Sequence, residues 1–332
     1  MWRCRSPIVA FFKISLAVEP GLWQDGAAMV DLPLIKPKRL KPGDVLGVVV
    51  PASPFDREPF EAGLGCIEKM GFSCVVADGA FDRDGYLAGS DENRAAQIHR
   101  FFQDPQIAGI ICARGGYGSM RLLSLIDFEL VRQNPKVFVG FSDASVLLAA
   151  FYAKSGLACF HGPMVAALGR GDGDSAKALR AALTGDQAIR LCSGDGTAVC
   201  PGTAAGPVCG GNLTVLCHTI GTPFAPPLAG HLLFLEDVGE APYRIDRMLT
   251  QMRLAGALEG VKGVVLGDFE NCGEPGQARR IVAQIFADAG VPILAGIAAG
   301  HGKKNLTLAI GPSAVLDADR GTLEYRESAT EA

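Results

Sequence analysis

Ser142 stands where a nucleophile could be held. It follows the apolar run "KVFVGF" and opens "SDASVLLAAFYAKSG", in the string Gly140-Phe141-Ser142-Asp143-Ala144. A serine on a sharp strand-to-helix turn is presented at the C-terminal edge of a parallel sheet, with the N–H groups of the helix start beside a developing oxyanion. Gly140 and Ala144 supply the small residues such a turn needs, although the second glycine of G-x-S-x-G is absent. The competing reading is a serine that only caps a helix.

Other strings carry chemistry of the same kind. "CARGGYGS" (112–119) is a Gly-rich strand-to-helix turn, able to bring backbone N–H groups close to an anion. It matches neither the dinucleotide fingerprint nor the Walker pattern. Ser119 is a rival nucleophile, less well placed inside the following helix. Of five histidines, His99 and His231 are assigned to a helix and a strand start, and His218 to an apolar run. His161, in "CFHGPM", and His301, in "AAGHGKK", are read as loop residues free to act as a base. Glu236, Asp237 and Glu240 cluster at the end of the apolar strand "HLLFLED", where carboxylates must face a cleft or pair with cations such as Arg244 and Arg247.

From Gly43, strand-like and helix-like segments alternate, which predicts an α/β fold with a parallel N-terminal sheet. "VLGVVV", "SCVVAD", "AGIICA" and "KVFVGF" read as its strands, with helices over "EPFEAGLGCIEKMG", "SDENRAAQIHRFFQD", "SMRLLSLID" and the stretch after Ser142. A Gly-, Asp-, Ser- and Thr-rich stretch follows. The expected organisation is a non-core extension at 1–28, an N-terminal domain at 29–185, a linker at 186–205 and a C-terminal α/β domain at 206–328. In the second half "HLLFLED", "VKGVVLGDF" and "PILAGIAAG" read as strands, and "LTLAIGPSAVLDADRGTLEYRE" as a hairpin.

Composition narrows the function. With 48% hydrophobic and 20% charged residues the 332-residue chain has ample core material. A net charge of -4 with no basic stripe argues against nucleic acid as a partner. The ten cysteines sit mostly in apolar runs and form no C-x-x-C pair, so a reducing compartment, the cytoplasm, is expected. "MWRCRSPIVAFFKISLAV" has the outline of a signal peptide, but Lys13 interrupts its apolar stretch, no cleavage site follows, and it falls short of the ~20 residues of a membrane span. No membrane, metal or cofactor is expected. The turn "PASPF" after the first strand lacks the glycines of a nicotinamide site.

Together and in order, "GDVLGVVVPASP", "RGGYGSMRLL", "GFSDASVLL", "HGPM", "GGNLTVL", "LFLEDVGEAPYRIDRML", "GVVLGDF" and "GHGKKNLTLAIG" resemble the LD-carboxypeptidase family of serine peptidases, which also contains the microcin C immunity peptidases. The likeness runs over residues 42–311. It implies a catalytic triad of Ser142, Glu236 and His301, with the backbone N–H groups of Gly116 and Asp143 as oxyanion donors and the site between the two domains. It also implies a muropeptide tetrapeptide as substrate and a homodimer. Arg244, with Tyr243 beside it, is offered for the substrate's free carboxylate. The alternatives are cleavage of an aminoacyl-nucleotide analogue, against which the placement of Trp2 and Trp23 in the extension weighs, and a non-catalytic α/β binding protein.

Overall fold

The unbroken apolar run Val45–Val49 folds as β1 in the computed structural model, which describes residues 32–171, 173–185, 188–194 and 198–332. The extension expected at 1–28 lies outside the described residues. Parallel to β1 run β2 (Ser73–Val76), β3 (Gly109–Cys112), β4 (Val137–Gly140) and β5 (Cys159–His161), in spatial order β5-β4-β3-β1-β2. Every residue of β3 and β4 is buried, as parallel strands covered on both faces require. The connections carry α1 (Arg57–Lys69), α2 (Asp91–Gln103), α3 (Phe128–Gln133) and α4 (Ser145–Ser155), and α5 (Val165–Arg170) and α6 (Gly173–Thr184) follow β5. Ser90 caps α2 by accepting the Asn93 N–H at 3.2 Å. Gly156 ends α4 with the left-handed φ of +70° that a glycine adopts without a Cβ clash.

The second sheet contains β6 (Arg190–Cys192), β7 (Ala198–Cys200), β8 (Thr203–Asn212), β9 (Leu232–Val238), β10 (Gly263–Glu270) and β11 (Ile293–Leu294). After β12 (Leu308–Ile310) it is completed by β13 (Ser313–Asp317) and β14 (Thr322–Tyr325), giving the order β6-β14-β13-β8-β9-β10-β11-β7. Its centre, β8 to β11, is parallel, and both flanks are antiparallel. Helices α7 (Leu213–Thr219), α8 (Pro242–Leu254) and α9 (Gln277–Ile285) bury Leu213, Leu249 and Val282 in a core shared with Leu235 and Val264. The α/β class and parallel N-terminal sheet expected from the sequence are those observed.

Four segments differ from expectation. The stretch 186–205 holds β6, β7 and the start of β8, and β6 and β7 are the two edges of the second sheet. At three residues each, these two edge strands are too short to show a periodicity. The terminal segment splits: β13 and β14 form the hairpin, whereas β12 returns to the first sheet and pairs antiparallel with β5, Leu308 opposite His161. Of "PILAGIAAG" only Ile293 and Leu294 are strand. "SMRLLSLID" gives a 3-10 turn at Ser119–Leu122 in place of a helix. Among the described residues no helix is long and apolar enough to cross a membrane.

Candidate active site

The end of β4 delivers Phe141 in extended conformation, and the chain then turns sharply at Ser142, with φ +59°. Among the described residues only Asn271 shares a positive φ without being glycine. Such a conformation costs about 1–3 kcal/mol and survives where the surroundings over-determine it. Here they do. A Cβ on Gly140 would lie 2.8 Å from the Ala144 Cβ, so the elbow closes only with the small residues present.

The Gly-rich turn lies directly against this elbow. A Cβ on Gly115 would fall 3.0 Å from the Ser142 Cβ and 3.1 Å from its Oγ, and one on Gly116, at φ +112°, would overlap Ser53. Ser53 accepts the Tyr117 N–H at 3.0 Å and donates its own N–H to Gly115 O at 3.3 Å. Asp143, buried beside the serine, accepts the Ser119 N–H at 2.8 Å and so ties elbow to turn. Burial lifts the Asp143 carboxyl above its ordinary range, against its bonds to Ser119 and Gly118 and the charge of Arg94. Ser119 itself is fully buried, which removes it as a rival nucleophile.

His301 reaches Ser142 from the second sheet. β10 guides the segment after β11: Asp268 donates its N–H to Ala299 O at 2.9 Å, and Asn305 Oδ1 accepts the Gly300 N–H at 3.0 Å, closing the histidine loop. The imidazole packs on Phe141, with ring centroids 5.0 Å apart. Ser142 Oγ and His301 Nε2 are 3.0 Å apart, and Nδ1–H donates to Glu236 Oε2 at 2.6 Å. Glu236 is fully buried on β9, opposite Asn212 of β8. Burial, the largest single influence, pulls His301 down, but the bond and charge of Glu236, with Asp237 and Asp268 behind, outweigh it and hold the imidazole above its ordinary pKa. Burial raises the Glu236 carboxyl.

The neighbouring carboxylates do other things. Asp237, the next residue along β9, accepts from Asn212 Nδ2 at 3.0 Å, Thr214 N–H at 2.9 Å and Thr214 Oγ1 at 2.8 Å, pinning the start of α7. Its partners are therefore polar groups of β8 and α7, with the Val238 N–H of its own strand at 2.8 Å. Glu240 sits 3.6 Å from Arg244 Nη1. Arg244 Nε donates to the Tyr243 hydroxyl at 3.3 Å, and both side chains are exposed at the start of α8. Among the described hydrogen bonds, ion pairs and ring contacts none joins Arg244 or Tyr243 to Ser142, His301 or Glu236.

His161 is not in a loop: it ends β5, wholly buried between Phe141 and Phe234. Burial and the neighbouring His301 push its pKa down to about 3, so it stays neutral. Asp268, which the sequence reading passed over, reaches Gly302 and is pushed up to about 6 by burial, by Glu236 and by Glu270, against its bond to the Gly302 N–H and the charge of His301. The signal for it was available, because "VKGVVLGDF" is a second apolar strand ending in a carboxylate. Among the described residues no group of three or more His, Cys, Asp or Glu could hold a metal ion.

An α/β protein with a strained serine on a strand-to-helix elbow, in line with a histidine and a buried glutamate, has the construction of a serine hydrolase. The chain belongs to the LD-carboxypeptidase family of serine peptidases: the family's N-terminal domain matches residues 46–162 and its C-terminal domain residues 205–316. It is 37% identical to a Bacillus subtilis protein named "Probable murein peptide carboxypeptidase", over 85% of this chain and 91% of that one. It is 33% identical to the murein tetrapeptide carboxypeptidase of Pseudomonas aeruginosa, over 83% and 94%. Among solved structures, an MccF-like protein from Bacillus anthracis superposes with a TM-score of 0.83 at 25% identity, over 88% of this chain and 99% of that one. The muramoyltetrapeptide carboxypeptidase from Oxalobacter formigenes gives 0.74 at 29%, over 84% and 97%.

Proposed function

We propose that this protein is a serine carboxypeptidase that hydrolyses the bond between the diamino acid and the terminal D-alanine of muropeptide tetrapeptides, a step of peptidoglycan recycling. The observation that carries the mechanism is His301 bridging Ser142 Oγ at 3.0 Å and Glu236 Oε2 at 2.6 Å. His301 takes the serine proton as Oγ attacks the amide carbonyl. Glu236 holds the imidazole in the tautomer that leaves Nε2 free and stabilises the imidazolium once it forms. The tetrahedral oxyanion is held by the Gly116 and Asp143 N–H groups, and loss of one such donor costs about 10²–10³ in rate. His301 returns the proton to the departing D-alanine amine. Water, activated by the same histidine, then opens the acyl-enzyme.

The relatives named for murein peptides support the substrate. The arginine at the start of α8, with Tyr243, is assigned to the free carboxylate. Cytoplasmic action is supported by the described cysteines, all of them free thiols. A homodimer is the assembly assigned, by resemblance to the family, and sedimentation tests it.

The deciding measurement is D-alanine release from synthetic L-Ala-γ-D-Glu-meso-diaminopimelyl-D-Ala by wild type and Ser142→Ala. Release by wild type alone is expected. Release by both moves the nucleophile elsewhere. Release by neither redirects the substrate to aminoacyl-nucleotide analogues, the alternative raised by the resemblance to the microcin C immunity peptidases.

A further inference from the structure

Arg94 is fully buried on α2, far from any role in the chemistry described above. A buried guanidinium is costly to desolvate unless its fork is matched by acceptors. Here Nη1 donates to Pro51 O and, at 3.0 Å, to Gly118 O, while Nη2 pairs with Asp91. Asp91 is held in turn by Arg121 Nε at 2.9 and 2.8 Å. The two carbonyls belong to the two turns that meet at the site. Pro51 begins the turn after β1 that carries Ser53, and Gly118 ends the Gly-rich turn of Gly115 and Gly116. A Cβ on Gly118, at φ +135°, would lie 2.7 Å from Arg94 Nη1, so the guanidinium is seated hard against the backbone there.

We propose that Arg94 is a positioning residue for the oxyanion turn: by bridging Pro51 O and Gly118 O, its guanidinium sets where the Gly116 N–H lies relative to Ser142. The turn is then clamped on both sides, by Asp143 through the Ser119 N–H and by Arg94 through the Gly118 carbonyl. This rests on the proposed roles of Ser142 and Gly116, but it needs no knowledge of the substrate. Lysine at 94 keeps the charge and offers a point donor that cannot reproduce the fork. Displacing a donor by about 1 Å can cost up to roughly 10² in rate.

The test is the second-order rate of Ser142 labelling by a fluorophosphonate. In that reaction the Oγ–P bond forms, the P–F bond breaks, fluoride leaves and the serine proton passes to His301. Arg94→Lys is expected to label about 10- to 100-fold more slowly than wild type. The pH midpoint of labelling should not move, because the base is untouched. Ser90→Ala, which uncaps the same helix, should label within about twofold of wild type at a temperature where both are folded. A wild-type rate in Arg94→Lys, or an equal loss in Ser90→Ala, overturns the proposal. If Arg94→Lys does not fold, Asp91→Asn, which loosens the grip on Nη2, replaces it. A loss of about 3- to 10-fold is then expected, and an unchanged rate overturns the proposal. Absence of labelling in wild type sinks the nucleophile assignment itself and this inference with it.

Discussion

Gly300 and Glu236 approach so closely that a Cβ on the glycine would lie 2.5 Å from Glu236 Oε2 and 2.9 Å from its Cβ. Gly300 also has φ +121°, a conformation that L side chains rarely adopt. The residue before the proposed base is thus shaped around the carboxylate that orients it. Gly300→Ala should push Glu236 aside and lengthen its 2.6 Å bond to His301. The expected result is a fall in kcat of roughly 10²-fold with KM little changed, and a loss of about 1–3 kcal/mol from backbone strain. Steady-state kinetics and urea unfolding measure both, and an unchanged kcat removes the proposed link.

The backbone at Ser142 offers a test that separates stability from activity. Its φ of +59° is disfavoured for serine and free for glycine. Ser142→Gly should abolish hydrolysis yet raise stability by about 1 kcal/mol, the strain relieved less the entropy that glycine loses on folding. Ser142→Ala keeps the strain and should show no such gain. If the melting temperatures of the two variants coincide, the elbow is not strained in solution.

The pH dependence follows from the sign of the His301 shift. A base must be neutral to accept a proton, and His301 is held above the ordinary imidazole value of 6.5. The acid limb of kcat/KM is therefore expected above pH 6.5, with activity rising as His301 deprotonates. Glu236→Gln removes the strongest upward influence and leaves burial in control. The limb should move to lower pH while kcat falls by roughly 10²–10⁴-fold. A limb that stays in place would show that another group titrates there.

The sequence exposed what local pattern controls. Four of the first five strands, the elbow at Ser142 and the turn at Gly115 could be read from apolar runs and from small residues at junctions. Where partners are distant in sequence, pattern is silent. β12 crosses back to β5 because its three apolar residues complete an edge of the first sheet, and nothing within Leu308–Ile310 names that partner. Arg94 lies within the helical run "SDENRAAQIHRFFQD", and nothing in that local pattern names Pro51 and Gly118, the partners among which it is completely buried. Glu236 was selected from three nearby carboxylates by resemblance alone, whereas the structure separates them by partner: His301 for Glu236, Asn212 and Thr214 for Asp237, and Arg244 for Glu240.

Arg244 is tested through binding. Its side chain is more than half exposed, and its Glu240 partner is loose at 3.6 Å. A substrate carboxylate could displace that contact at small cost, since exposed ion pairs contribute about 0–1 kcal/mol. Arg244→Ala should raise KM for the tetrapeptide about tenfold, the worth of one charge-assisted hydrogen bond, and leave kcat within about twofold. A KM unchanged from wild type excludes the role.

Asp268 makes the last prediction two-sided. Its carboxylate favours the imidazolium of His301, so Asp268→Asn, which still accepts the Gly302 N–H, should move the acid limb of activity to lower pH. In the folded protein its own pKa is raised from 3.8 to about 6, an acid that folding makes harder to ionise. Wild type therefore loses stability relative to the asparagine variant as pH rises from 3.8 to about 6, and the two converge when Asp268 is protonated in both states, below pH 3.8. Urea midpoints taken below that value and at neutral pH should show the gap opening only at the higher pH. A gap that is constant across the range would mean that Asp268 titrates alike in the folded and unfolded chains, and the burial argument for Asp268 would fail.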